Sequence, residues 1–380
     1  MMSQGSKREL VTAIRPRYLQ ASKAGKEQIL NELIATTGYH RKSAIRVLKH
    51  GPKAKGLKKP GRQKIYQGEV VQALEQIWEI CGRICSKRLQ PFLPEMVTIL
   101  ERHHELCLPG PIKSLLLRMS RSTIDRCLKK ARFPSPQRGL STTKPGVLLK
   151  AAIPIRTFTP WEEEHPGFLE IDLVAHCGSS TEGTYLNTLT ATDLASGWTE
   201  CLALANKTQV AVSQAIAQLR LDLPFLLLGL DSDNGSEFIN DTLLRYCLSE
   251  QITFTRSRPY KKNDQAHVEQ KNWSVVRHTV GYDRLETPEE LALLRSIFAD
   301  LRLYINFFQP VLKLIGKERI DGKTIRTYDR ATTPYRRVLA LDILPLQIKA
   351  KLSAQFVQLN PVDLRTRIDA NVAKLWKIVR

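Results

Sequence analysis

The stretch that most constrains the fold is Leu169-Glu170-Ile171-Asp172-Leu173-Val174, an apolar strand with an aspartate inside it. A carboxylate in a buried strand is costly unless it is paired or bound to a cation. A second aspartate, Asp233, lies in Leu230-Asp231-Ser232-Asp233-Asn234-Gly235-Ser236-Glu237-Phe238, just past an apolar run from Pro224 to Leu230. Ligands of open sheets collect beyond the carboxyl ends of strands. A glutamate, Glu269, lies in Gln265-Ala266-His267-Val268-Glu269-Gln270-Lys271-Asn272, in the first turn of a predicted helix. Three carboxylates on two strand regions and one helix can meet at one sheet edge. An all-oxygen set of this kind suits Mg²⁺ or Mn²⁺.

The surrounding pattern predicts how that edge is built. From residue 161 the apolar period changes from helical to alternating. Phe168 to Val174, Tyr185 to Thr192 and Trp198 to Leu204 read as three strands, with a turn from Asp193 to Gly197. A helix is expected over Lys207 to Leu221, a strand buried on both faces over Pro224 to Leu230, and a helix over Phe238 to Ser249. A short strand at Ile252 to Thr255 and a helix from Ala266 to Val280 complete the set. Three meandering strands followed by helix, strand, helix, strand and helix is the order of the ribonuclease H-like fold, with a mixed five-stranded sheet.

With thirty-five residues between Asp233 and Glu269, and Asn234-Gly235 directly after the second aspartate, the pattern resembles the DDE motif of the retroviral integrase and bacterial insertion-sequence transposase superfamily. The resemblance covers about residues 160–305. Asn234, Gly235, Gln265 and Asn272 also match the family's surroundings, as does Asp193-Leu-Ala-Ser-Gly197-Trp198. It implies that Asp172, Asp233 and Glu269 are catalytic and hold two Mg²⁺ ions, with Mn²⁺ as a substitute. By that analogy Asp172 bridges both ions, with Asp233 on one and Glu269 on the other, and the chemistry is in-line cleavage by water followed by 3′-OH strand transfer. Because Asn-Gly follows the catalytic aspartate in the family pattern, Asp231 is expected to be structural. Double-stranded DNA, at element ends and target, is the implied partner, and a homo-oligomer on paired ends the implied assembly. Two other functions remain in view: a catalytically inactive or domesticated DNA-binding regulator, and a ribonuclease H-like resolvase that cuts without joining.

Charge agrees with a polyanionic partner. The chain of 380 residues carries a formal net charge of +21, unevenly placed. Residues 1–150 hold 30 basic and 10 acidic side chains, residues 151–250 hold 4 and 14, and residues 251–380 hold 24 and 13. Basic arms around an acidic centre suit a protein that grips DNA and gathers cations. Within the first arm, a helix, a Gly-containing turn and a second helix with Arg41, Lys42 and Arg46 outward has a helix-turn-helix layout. The Gly/Pro/Lys linker that follows offers Lys58, Lys59, Arg62 and Lys64 to a narrow minor groove. A second helix-turn-helix is expected to lead with Arg121, Arg126 and Lys129. Near Glu269, Lys261, Lys262 and Lys271, with Arg256, Arg258 and Arg277, are expected to meet phosphates. Trp273 is expected in the core.

The expected organisation is thus a helix-turn-helix domain at 1–55, a basic linker at 56–68, and a second helix-turn-helix domain at 69–133. A linker at 134–160, the catalytic core at 161–305, and a basic C-terminal region at 306–380 making DNA or protein contacts follow. Within the last, Lys313 to Arg337 reads as a small β-rich or extended basic segment. The seven cysteines lack zinc-finger pairing and read as reduced thiols. No run is long and apolar enough to cross a bilayer, and the first eight residues lack a signal-peptide core, so a cytoplasmic protein is expected, which the resemblance implies to be bacterial and nucleoid-associated.

Overall fold

The computed structural model describes residues 2–51, 65–132, 165–258 and 265–379. The chain forms two compact units, Met1–Ile65 and Tyr66–Arg380.

The smaller unit contains three helices, α1 (Gln4–Gln20), α2 (Lys23–Thr37) and α3 (Arg41–His50). Ser3 and Ser22 cap the first two by accepting backbone N–H bonds that helix starts otherwise leave unmade. Gly38 ends α2 in the left-handed region at φ 69°, where its backbone N–H bonds Ile34 O. Val11, Tyr18, Leu30, Leu33, Ala44 and Leu48 fill the space between the helices.

The larger unit begins with four helices: α4 (Glu69–Ile80), α5 (Ser86–Arg102), α6 (Gly110–Leu117) and α7 (Arg121–Cys127). The sheet follows. β1 (Phe168–Ala175), β2 (Asn187–Asp193) and β3 (Thr199–Leu204) form an antiparallel meander. Next come α8 (Gln209–Asp222), β4 (Gly229–Ser232), α9 (Asp241–Ser249) and β5 (Thr253–Arg256). β1 pairs with β4, and β4 with β5, in parallel, so the spatial order is β3-β2-β1-β4-β5. That order, with those directions, is the mixed sheet of the ribonuclease H-like fold.

One strand differs from expectation. The run Pro224 to Leu230 is not a strand along its length, because Leu226 is 79% exposed and only Gly229 to Ser232 pairs. Gly229 sets the start: a Cβ there would meet the Phe168 ring at 2.5 Å, so only glycine lets β4 close on β1. The strand therefore ends on the acidic segment, with Asp231 inside it and Asp233 the first residue beyond.

After β5 the chain enters α10 (Ala266–Lys271), one π-helical stretch (Asn272–Arg277) and a short α11 (His278–Val280). α12 (Pro288–Phe308) then packs along β3. Buried Asn306 reaches from it to edge strand β3, accepting from Thr199 N–H at 2.9 Å and donating to Thr199 O at 2.8 Å. A hairpin of β6 (Leu314–Ile320) and β7 (Lys323–Tyr328) precedes α13 (Pro334–Ala340), α14 (Leu346–Gln358) and α15 (Pro361–Val379). Phe307 of α12, Tyr335 of α13 and Phe356 of α14 stack at 4.6 to 6.3 Å between ring centroids, which docks the C-terminal helices.

α4 to α7 share one apolar cluster with the sheet and the C-terminal helices. Tyr304 of α12 donates to Ile80 O at 2.5 Å, Gln309 to Cys81 O at 2.7 Å, and Arg88 to Pro310 O at 2.5 Å. At the start of α12, Thr287 and Glu290 form a reciprocal capping box. Thr287→Ala is expected to lower unfolding free energy by about 1 kcal/mol, read as a small fall in the urea midpoint at unchanged m-value.

Candidate active site

Strand register brings the two aspartates together. The last paired residues of β1 and β4 are Ile171 and Ser232. Asp172 and Asp233 are each one step further, on adjacent parallel strands, hence on the same side of the pleat. Two residues back on that side, Glu170 lies opposite Asp231.

Each carboxylate is held differently. Asp172 Oδ1 accepts from Leu173 N–H at 2.8 Å, and its Oδ2 from Asn272 Nδ2 at 2.6 Å. Burial, helped by the nearby charges of Asp233 and Glu269, pushes the Asp172 carboxyl up to about 7. Asp233 Oδ1 accepts from Gly235 N–H at 2.8 Å, and a Cβ at Gly235 would strike that oxygen at 2.8 Å. Burial also raises Asp233, to about 6, against the lowering effect of that bond and of Lys207. Asp231 is wholly buried and accepts from Thr255 Oγ1 at 2.6 Å, a structural tie between β4 and β5.

Glu269 stands in the first turn of α10 with its charge felt at Asp172. The position of α10 comes from Glu170, two residues before Asp172 on β1. Its buried carboxylate accepts from the N–H groups of His267 and Val268, at 2.9 and 3.1 Å. It thus caps the helix that carries Glu269. The available signal was its place on the same strand face as Asp172, two residues earlier. Gln265 Nε2 donates to Asp231 O at 3.3 Å, and Asn234 bridges Ser257 O and Arg256, so both supporting residues tie loops to strand ends.

Among the described residues, no three His, Cys, Asp or Glu side chains are gathered into a ready metal site. Like charges with no cation between them repel. The donor set nonetheless fits a hard cation: an Asp172 carboxyl raised by burial and by the charges of Asp233 and Glu269, and Asn272 Oδ1, buried beside Asp172 with no hydrogen-bond partner.

The integrase core domain family model matches residues 162–262. An uncharacterized protein of Sinorhizobium fredii (strain NBRC 101917 / NGR234), y4rM, is 40% identical over 338 residues, spanning 88% of this chain and 96% of that protein. The chain belongs to the DDE transposase and retroviral integrase superfamily. Among solved structures, the catalytic core domain of BIV integrase matches at 19% identity over 45% of this chain and 91% of that one, with a TM-score of 0.29. The integrase-core match ends before Glu269, so the third carboxylate rests on this chain's own spacing and on the charge felt at Asp172.

The other residues singled out in this integrase-type chain fall into groups. Lys58, Lys59, Arg62, Lys64, Lys261 and Lys262 lie outside the described residues. Lys42, Arg46, Arg121, Arg126 and Lys129 are exposed. Arg41 is exposed too, but pairs with Glu27 and donates to Asn31 Oδ1 at 3.1 Å. Lys271 turns inward, where burial, with Arg88 nearby, lowers it to about 8. Arg256 is buried against Asn234, and Arg277 donates to Ala175 O at 2.7 Å, so both serve the fold rather than a free cationic face. Trp273 reverses its expectation: it is 60% exposed on the π-helical stretch, edge-on to His278. No helix among the described residues is long and apolar enough to cross a membrane.

Proposed function

We propose that the protein is a DDE-type transposase that binds element terminal repeats, cleaves DNA strands and joins the resulting 3′-OH to target DNA. The observation that carries this reading is Asp172. A strand-borne carboxylate raised to about 7 by burial and by two other acids is poised to take up positive charge. Asp172, Asp233 and Glu269 hold Mg²⁺ in this reading, and Asn272 offers a further oxygen. Bound there, a pair of ions supplies the polarisation that activates the attacking oxygen and stabilises the leaving 3′-oxygen. The chain's own groups orient and restrain. Asn272 fixes one Asp172 oxygen, Gly235 N–H fixes Asp233, and the Glu170 cap fixes the start of the Glu269 helix. Lys207, whose charge lowers Asp233, supplies in this reading a positive charge for the scissile phosphate. The exposed basic residues of α3 and α7 engage duplex DNA, with assembly as a homo-oligomer on paired ends.

Incubation with the flanking element ends and Mg²⁺ tests the reading, with both cut and joined products expected. Cutting without joining moves the protein to the resolvase class, and binding without either product moves it to the regulators. Asn272→Ala is expected to lower single-turnover cleavage by about 10- to 100-fold, the usual effect of removing a group that orients a ligand, with duplex affinity retained. Equal loss of affinity and cleavage would show that Asn272 merely supports the fold.

A further inference from the structure

The β6–β7 hairpin is a ribbon with no core beneath it. Every residue of β7 is exposed, and of β6 only Gly316 is partly covered. A free two-stranded hairpin is marginal in water, so such a ribbon needs local determinants and a firm base. It has both. Asp321 and Gly322 form the two-residue turn at φ 48° and 75°, the positive-φ pair that matches strand twist. At the base, Asp329 Oδ1 accepts from Lys313 N–H at 2.7 Å, and Asp329 pairs with the mostly buried Arg337 at 2.6 Å. Val311 bridges Thr332, and Arg330 reaches Pro91 O of α5.

The register sorts the ribbon's side chains. Lys317 faces Arg326, Arg319 faces Thr324, and Leu314 faces Tyr328. By the pleat these six share one face, which holds three cations and no acid. On the opposite face Glu318 lies across from Ile325, and Ile320 across from Lys323. The cationic face does not end at the strands. Tyr328 lines a crevice of about 410 Å³ together with Arg330, with Arg121 of α7 and with Asp329, whose charge Arg337 already pairs. A cationic strip therefore runs from the start of α7, through the crevice, to the ribbon.

We propose that the β6–β7 ribbon, continuous with Arg121 and Arg330, is a duplex-DNA docking element whose Lys317, Arg319 and Arg326 hold backbone phosphates. It rests on the DNA-handling reading above but lies outside the carboxylate site. A two-stranded ribbon has the width of the major groove, and three of the ribbon's four cations on one acid-free face suit a polyanion. A protein-facing surface would be richer in apolar groups at its centre, as the face with Ile320 and Ile325 is.

The test measures binding of the full-length protein to a labelled mixed-sequence duplex without divalent metal, between about 50 and 200 mM salt. In Lys317→Gln/Arg319→Gln/Arg326→Gln, the slope of log affinity against log salt is expected to shrink by about 2 to 3, close to one per lost phosphate contact. A charge-preserving variant, Lys317→Arg/Arg319→Lys/Arg326→Lys, is expected to keep the parental slope. Near-UV circular dichroism and the melting temperature, expected unchanged because these side chains are exposed, exclude misfolding as the cause. An unaltered slope in the glutamine variant overturns the docking element and leaves the transposase reading standing, whereas a parent that binds no duplex overturns both. If Ile320→Ser/Ile325→Ser dissociates an oligomer while the glutamine variant binds normally, the ribbon is a self-association surface and the proposal is wrong.

Discussion

Glu269→Gln is expected to lower single-turnover nicking of terminal-repeat DNA by about 10³-fold, at or beyond the upper end of losses seen when one preorganised electrostatic partner is removed. Duplex affinity should stay within about twofold, since one exposed side chain of α10 changes shape little and the basic surfaces are untouched. The substitution is sharp because it keeps size and shape while deleting one charge and one acceptor oxygen. Glu269 contributes to the field that raises Asp172, so the Asp172 carboxyl should also titrate lower in the variant. That second readout separates a missing charge from a displaced helix. A helix displaced by lost capping would disturb the Glu170 bonds to His267 and Val268, which the glutamine does not touch. Cleavage within threefold of the parent would remove Glu269 from the chemistry and favour an inactive regulator.

Much of this site was legible in the sequence because chemistry and local pattern coincide there. Asp172 stands out in an apolar strand, and Asp233-Asn-Gly needs a glycine that the fold demands on steric grounds, since any Cβ at Gly235 meets the Asp233 carboxylate. Strand β4 was misjudged because hydropathy does not encode register. The apolar run from Pro224 looked buried, but pairing starts only where Gly229 lets Phe168 approach. Glu170 and Lys271 escaped for another reason. Period two places Glu170 on the Asp172 face, yet nothing local says that a helix nearly a hundred residues later will bring two N–H groups to it. Lys271 reads as surface charge until the sheet and Arg88 enclose it. Trp273 failed in the opposite sense: a π-helical stretch shifts which side of the helix faces the core, so α-helical spacing misplaces the ring. Lys313 to Arg337 reads in the sequence only as a basic β-rich or extended segment; the gathering of Lys317, Arg319 and Arg326 on one face emerges only from the register.

Asp172→Asn is expected to make the metal-free protein more stable than the parent above pH 7, by about 2 kcal/mol, although it destroys the proposed activity. The folded Asp172 keeps its proton to about pH 7, whereas the unfolded carboxyl releases it near 3.8. Between those values the folded chain binds more protons, so parental stability falls as pH rises through the window and levels off above it. At about 1.4 kcal/mol per pH unit the whole window corresponds to about 4 kcal/mol, and partial access of solvent to the carboxyl reduces that by roughly half. Asparagine has no proton to lose there. The stability difference between the two chains should therefore be small below pH 4, widen up to about pH 7 and stay constant beyond. His176 slopes the other way, because burial lowers it to about 3 and its uncharged form is favoured in the fold, but it is present in both chains and cancels from the difference. Mg²⁺ supplies the complementary measurement. At 100 times its dissociation constant, a ligand bound only by the folded parent adds about 2.7 kcal/mol, enough to close the gap, and it should leave the asparagine chain unmoved. Chemical denaturation across pH, with and without Mg²⁺, reads both effects. A gap that ignores pH, or equal stabilisation of the two chains by Mg²⁺, would detach Asp172 from the cation chemistry assigned to it.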